Sequence, residues 1–232
     1  PTNRDGGKDV ILQQIRNSPS HRLMVANLRG FTLHYDRIII ASAKNTPEMA
    51  GKSIKELADS WNMSCEDAFL QILLVNDIAV TVFSDTINEK HMESIYREPF
   101  CFFATDGIGI EKPVKDESAA RNLVHPRSFG AAAQFLGHIV RENALVSWED
   151  AIFKMTQAPA QLLRLQGSQG TLVKGAPADI TIFDPATIRD NATYEDPFQY
   201  PTGIPWVIVN GAVAVENGKL TEKRAGVLLL AE

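Results

Sequence analysis

Hydrophobic and polar positions change their period several times along the chain. Val10, Ile11 and Ile15 share one side of a helix expected over 8–17. The β-branched run Tyr35 to Ala41 predicts a buried strand, ended by Asn45-Thr46-Pro47. Helical spacing returns over 52–61 and 65–75, with Ser64 as N-cap of the second helix and Asp67 three residues on. Ala79 to Phe83 predicts a strand, 88–97 a helix, and Phe100 to Thr105 a further strand closed by Asp106-Gly107. Strand, helix, strand is the rhythm of a parallel sheet. Nearly continuous apolar strands suit a sheet covered on both faces.

Residues 111–124 are polar and loop-like, and helices are expected over 129–142 and 147–165, the second capped by Ser147 with Asp150. After Gly167 the pattern turns to strands, at 170–173, 178–183, 206–209, 212–215, 219–221 and near 226–230. Asn210-Gly211 is a two-residue hairpin signal, and Asn217-Gly218 marks another turn. The shift places a domain boundary between 1–166 and 167–232. The fold class is α/β.

Composition narrows the function classes. The chain has 232 residues, 44% hydrophobic, with 23 basic and 28 acidic side chains for a net charge of −5. That length buries a substantial core without disulfides. A small negative charge argues against nucleic acid or an anionic membrane as partner. Cys65 and Cys101 form no Cys-x-x-Cys pair, and the chain is expected in a reducing cytoplasm. No apolar run approaches the ~18 to 20 residues of a membrane span. The first residues lack a basic-then-apolar export signal.

Asp106 is the most informative position for chemistry. An aspartate directly after a buried parallel strand sits where α/β and barrel folds build active sites, although Asp-Gly also serves as a plain turn. His125-Pro126-Arg127 follows on the next loop. The planar fork of Arg127 suits a carboxylate, against the alternative of a solvated surface arginine. His125 is either a structural or a site histidine. His21, His34, His91 and His138 form no pair with metal-ligand spacing. Gly107-Ile108-Gly109 begins like a dinucleotide loop, but Lys112 stands at the third glycine position. Neither a nucleophile elbow nor a phosphate loop occurs.

Taken together, Ala104-Thr105-Asp106-Gly107 and His125-Pro126-Arg127-x-x-Gly130 resemble late-barrel motifs of the D-aminoacylases, the N-acyl-D-amino-acid deacylases of the amidohydrolase superfamily. The helix at 150–165, the run Gly170 to Ile180, Phe183-Asp184-Pro185 and the hairpin from Trp206 to Val215 extend the likeness, and Pro47 to Ser53 resembles the start of an inserted helical region. The resemblance implies the C-terminal portion of a metal-dependent TIM-like barrel over 1–166, with an insertion around 41–78, followed by a small β-sandwich domain over 167–232. It lacks the family's His-x-His strand and middle-strand metal ligands. The chain is therefore expected to be a fragment, or to be completed by the missing N-terminal half or another subunit.

The resemblance implies a zinc-dependent hydrolase that cleaves N-acyl-D-amino acids to a carboxylate and a D-amino acid, the zinc activating the attacking water. Asp106 then corresponds to the acid–base group, which takes the proton from water and returns it to the leaving amine. Arg127 corresponds to the clamp on the substrate carboxylate, Ser42 to a substrate contact, and His125 to a residue orienting the loop. This chain alone is expected to bind no metal and to be inactive. Two alternatives remain: a non-catalytic remnant or interaction module of the fold, and a cyclic-amide hydrolase resembling hydantoinases or dihydroorotases.

Overall fold

A computed structural model describes residues 5–111, 123–165 and 168–228. The chain divides into two compact units, one made of residues 1–86 and 113–124, the other of 87–112 and 125–232.

The first unit opens with α1 (Asp5–Arg16) and α2 (Ser18–Arg29). Asn17 starts α2 by accepting the Ser20 amide, and Pro19 fits the first turn, where its missing N–H costs nothing. The sequence pattern did not predict this helix. Next come β1 (Ile38–Ala43), α3 (Ile54–Trp61), α4 (Cys65–Val75) and β2 (Val80–Ser84). Ser53 and Glu56 form a reciprocal capping box on α3, and Ser64 caps α4 through the Asp67 amide. Ile40, Ile54, Leu57, Ala58, Ala68 and Ile72 make one core, while Ile15, Val25 and Leu70 join α1, α2 and α4 in a smaller one.

β1 and β2 pair antiparallel, with an irregularity between Ile40 and Ser42. β2, expected as the first strand of a parallel strand–helix–strand unit with 100–105, pairs antiparallel with β1 instead, and 100–105 has no strand structure. Asn76, fully buried at the end of α4, holds the turn after β1. Its amide nitrogen donates to Thr46 Oγ1 and the Ile72 carbonyl, and its oxygen accepts the amides of Asn45 and Thr46.

The second unit contains α5 (Glu89–Arg97), α6 (Arg127–Gln134), α7 (Trp148–Met155), α8 (Gln157–Leu162) and the strands β3 (Ile180–Ile182), β4 (Trp206–Val209), β5 (Ala212–Glu216) and β6 (Lys219–Leu220). α6 continues into a π-helical segment, Phe135–Glu142. Thr156, at φ −128° and ψ −83°, separates α7 from α8, so the single helix expected over 147–165 is two. β3 to β6 form an antiparallel sheet in sequence order. Asn210 and Gly211, at φ 47° and 80°, make the expected two-residue turn between β4 and β5.

The strands expected at 100–105 and 170–173 are absent. An apolar run becomes a strand only where a neighbour pairs with its backbone. Here Phe103 donates its amide to the Lys154 carbonyl and packs its ring on Phe135, while Leu172 stands 82% exposed. Residues 226–228 are likewise without strand structure, and 229–230 lie outside the described residues. The unit's core gathers Ala133, Phe135, Leu136, Ile139, Ala151 and Ile188.

Candidate active site

The His-Pro-Arg motif forms the entry to α6. The His125 and Pro126 carbonyls accept the Ser128 and Phe129 amides, closing the first turn. The Arg127 amide has no helical acceptor at this end. It donates instead to His125 Nδ1 at 3.1 Å, so the imidazole caps the helix. With Nδ1 accepting, the neutral ring carries its proton on Nε2, which lies 3.2 Å from Tyr194 Oη. Burial holds the His125 pKa below its ordinary value; the Arg127 cation adds to the effect and the Asp106 charge opposes it.

Asp106 sits at φ 46°, a left-handed conformation that aspartate tolerates better than most residues. The turn lies against α6: the Ile108 amide donates to Ser128 Oγ at 3.2 Å, and a Cβ on Gly107 would come within 3.1 Å of Ser128 Cα. This brings Asp106 to Arg127. The guanidinium donates from Nη2 to Asp106 Oδ2 at 2.8 Å and from Nε to the Asp106 carbonyl at 2.8 Å. The Asp106 side chain is 82% exposed and that of Arg127 41% exposed. The expected acid and the expected cation are therefore partners, with the carboxylate open to solvent rather than enclosed.

Beside Arg127 lies a cavity of about 280 Å³, lined among others by Tyr96, Phe102, Phe103, Phe135 and Lys154. Lys154 is buried, and its Nζ donates to the Tyr96 and Glu98 carbonyls, satisfying groups at the C-terminal end of α5. Neither Lys154 nor Tyr194 was singled out by sequence reasoning. A lone lysine in an amphipathic helix and a lone tyrosine in a polar stretch carry no local signal.

Ser42 belongs to the first unit, half-buried on β1 and paired in register with Thr81. Among the described residues, no three His, Cys, Asp or Glu side chains gather where a metal ion would be held. No described helix is long and apolar enough to cross a membrane.

Comparison with known proteins gives this geometry its context. The profile of the amidohydrolase family matches residues 102–215, a stretch containing Asp106, His125 and Arg127. The N-acyl-D-glutamate deacylase of Alcaligenes xylosoxydans xylosoxydans is 31% identical over 208 residues, 90% of this chain and 39% of the relative. The D-aminoacylase of the same organism is 32% identical over 193 residues, 83% of this chain and 37% of the relative.

Among solved structures, a D-aminoacylase matches with a TM-score of 0.69 at 29% identity, covering 84% of this chain and 38% of that one. The N-acyl-D-glutamate deacylase of Bordetella bronchiseptica, complexed with zinc and a phosphonate mimic of the tetrahedral intermediate, matches with a TM-score of 0.66 at 29% identity, over 78% of this chain and 35% of that one. A binuclear metal center is described for D-aminoacylase. The chain thus spans about two-fifths of the length of the curated relatives it matches. In sequence and in its α/β architecture, the chain is similar to the N-acyl-D-amino-acid deacylases, D-aminoacylase among them, over about two-fifths of their length.

Proposed function

We propose that this chain is the C-terminal portion of an N-acyl-D-amino-acid deacylase, contributing the proton-transfer carboxylate and the substrate clamp. The observation carrying this reading is the direct pairing of Asp106 with Arg127 inside the stretch matched by the amidohydrolase profile. In the complete enzyme, water adds to the amide carbonyl carbon while Asp106 removes a proton from it. The carbon–nitrogen bond breaks as that proton passes to the amine, which leaves poorly while unprotonated. The products are a carboxylate and a free D-amino acid. Arg127 binds the substrate carboxylate with its planar fork, and His125 orients the loop.

In the structure Arg127 is engaged by Asp106. A substrate carboxylate that takes over the guanidinium frees the Asp106 carboxylate for the proton, coupling binding to activation. Among the described residues of this chain, no ligand cluster fits the family's metal. The proposed domain division is a partial barrel with a helical insertion around 41–78, followed by the β domain at 167–232.

The test is hydrolysis of N-acetyl-D-methionine, N-acetyl-D-glutamate and N-acetyl-D-aspartate by a protein extended to the length of the relatives. Turnover of at least one, abolished by Asp106→Asn, supports the deacylase. An extended, folded, metal-loaded protein that hydrolyses none of them leaves the non-catalytic reading. The 232-residue chain by itself is expected to show no turnover.

A further inference from the structure

Tyr194 stands 69 residues beyond His125, in a polar segment that packs over the first turn of α6. We infer that Tyr194 is a positioning residue for the Arg127–Asp106 pair, acting through His125, whose ring it tethers at Nε2 while Nδ1 holds the Arg127 amide. The inference rests on the deacylase reading only for its kinetic consequence.

The imidazole is held at both nitrogens, by Tyr194 Oη at 3.2 Å and by the Arg127 amide at 3.1 Å. The tyrosine ring also meets the imidazole edge-on, with centroids 5.1 Å apart. Two tethers and a ring contact leave the imidazole little freedom to rotate. The Arg127 backbone is fixed in turn, and its guanidinium reaches both the carboxylate and the carbonyl of Asp106.

The segment that carries Tyr194 is anchored on α6 through residues on either side of it. Phe129 packs against Phe198 at 5.5 Å and Tyr200 at 5.8 Å, and Asn191 Nδ2 donates to the Tyr200 carbonyl at 3.0 Å. The Asp190 carboxylate lies directly over Gly130, so close that a Cβ there would fall 1.7 Å from its Oδ1. His125, Phe129 and Gly130 at the start of α6 thus each face a residue of 190–200. A segment remote in sequence sets the aim of the arginine.

The test compares Tyr194→Phe with the unaltered protein. Phenylalanine keeps the ring contact and removes only the hydroxyl. In the ¹⁵N-labelled 232-residue chain, a nitrogen–nitrogen coupling between the Arg127 amide and His125 Nδ1 is expected, with the neutral ring's proton on Nε2. Tyr194→Phe is expected to abolish the coupling, shift the Arg127 amide proton upfield and speed its exchange about fivefold to tenfold. In the extended enzyme it raises KM about fivefold to tenfold and leaves kcat within about twofold.

His125→Asn supplies the second variant, since its side-chain oxygen can still accept the Arg127 amide without reaching Tyr194. In that background Tyr194→Phe is expected to change neither the Arg127 amide exchange nor KM. An unchanged Arg127 amide in Tyr194→Phe, or the same change in both backgrounds, overturns the inference. A neutral His125 with its proton on Nδ1 overturns it even if the phenylalanine variant fails to fold. Absence of deacylation in the extended protein removes the proposed function alone, leaving the resonance measurements to judge the tether.

Discussion

Arg127 grips Asp106 at two different atoms, Nη2 on the carboxylate and Nε on the main-chain carbonyl, each at 2.8 Å. A guanidinium can do this because its donors diverge in one rigid plane. The ammonium of a lysine is a point charge and cannot reproduce the pair. Both side chains are substantially exposed, so the pairing contributes little to stability. Its consequence is geometric, fixing where a cation and an acid meet.

The first prediction concerns that cation. Arg127→Lys and Arg127→Ala in the extended enzyme should both raise KM for N-acyl-D-amino acids, alanine by a factor corresponding to about 1.5 to 3 kcal/mol of lost charged hydrogen bonding. Lysine, keeping the charge but not the fork, should recover only part of the loss. Steady-state kinetics decide it, and wild-type KM in Arg127→Ala would remove the clamp role. Global stability should move by less than about 1 kcal/mol, since the pair is solvent-exposed.

A second prediction tests how the second unit is packed. At Gly203, φ is +81° and an added Cβ would lie 2.5 Å from the Ile188 backbone; at Gly137 it would lie 2.7 Å from the Ile188 carbonyl oxygen. Ile188 is buried at 1% exposure and cannot yield without disturbing the core. Gly137→Ala should therefore cost about 1 to 3 kcal/mol, and Gly203→Ala more, because backbone strain adds to the clash. Gly109→Ala, which meets nothing within 4 Å, should stay within about 0.5 kcal/mol. Denaturant unfolding of the three variants provides the comparison.

What could be read beforehand follows from the range of the forces involved. Caps and tight turns are local chemistry, so Ser64, Ser147 and Asn210-Gly211 were legible as they stand. Asn17-Ser18-Pro19 carried the same kind of signal for α2, whose apolar side chains cluster only from Leu23, midway along it. Strand pairing is long-range, and apolarity alone could not tell Phe100 to Thr105, packed on helices, from a strand. Asp106 stood out as the residue closing an expected strand at 100–105 that does not form, and with His125 and Arg127 through motif resemblance. Their mutual contacts, and the role of Tyr194 in holding His125, depend on how distant segments fold back and left no trace in spacing.

Asn76 provides a third prediction, for the first unit. It is fully buried and links Asn45, Thr46 and Ile72 through its amide. Asn76→Ala would strip the Asn45 and Thr46 amides of their side-chain acceptor at a part-buried turn. An unfilled buried donor costs about 1 to 3 kcal/mol, so the variant should lose about 2 to 3 kcal/mol. Asn76→Asp keeps the acceptor but loses the donor to Ile72, and should fall between alanine and wild type at neutral pH. A loss below about 0.5 kcal/mol in the alanine variant would mean that the turn satisfies itself by another route.

The fourth prediction concerns pH. The folded-state pKa of His125 lies below its unfolded value of about 6.5. Between those two values the unfolded chain binds more protons than the folded one, so stability rises with pH across the window. The contribution is complete above the unfolded value and is lost as pH falls through the folded one. The structural cause is visible at Nδ1: a protonated ring would turn a donor toward the Arg127 amide, itself a donor, and the cap on α6 would open. The unfolding free energy of wild type should therefore decline between neutral pH and pH 5 more steeply than that of His125→Asn, which lacks this imidazole but keeps the other histidines in common. Carboxylates common to both proteins cancel in the difference. Parallel profiles for the two proteins would show that His125 keeps its ordinary affinity for protons, and that its ring does not serve as the acceptor holding Arg127.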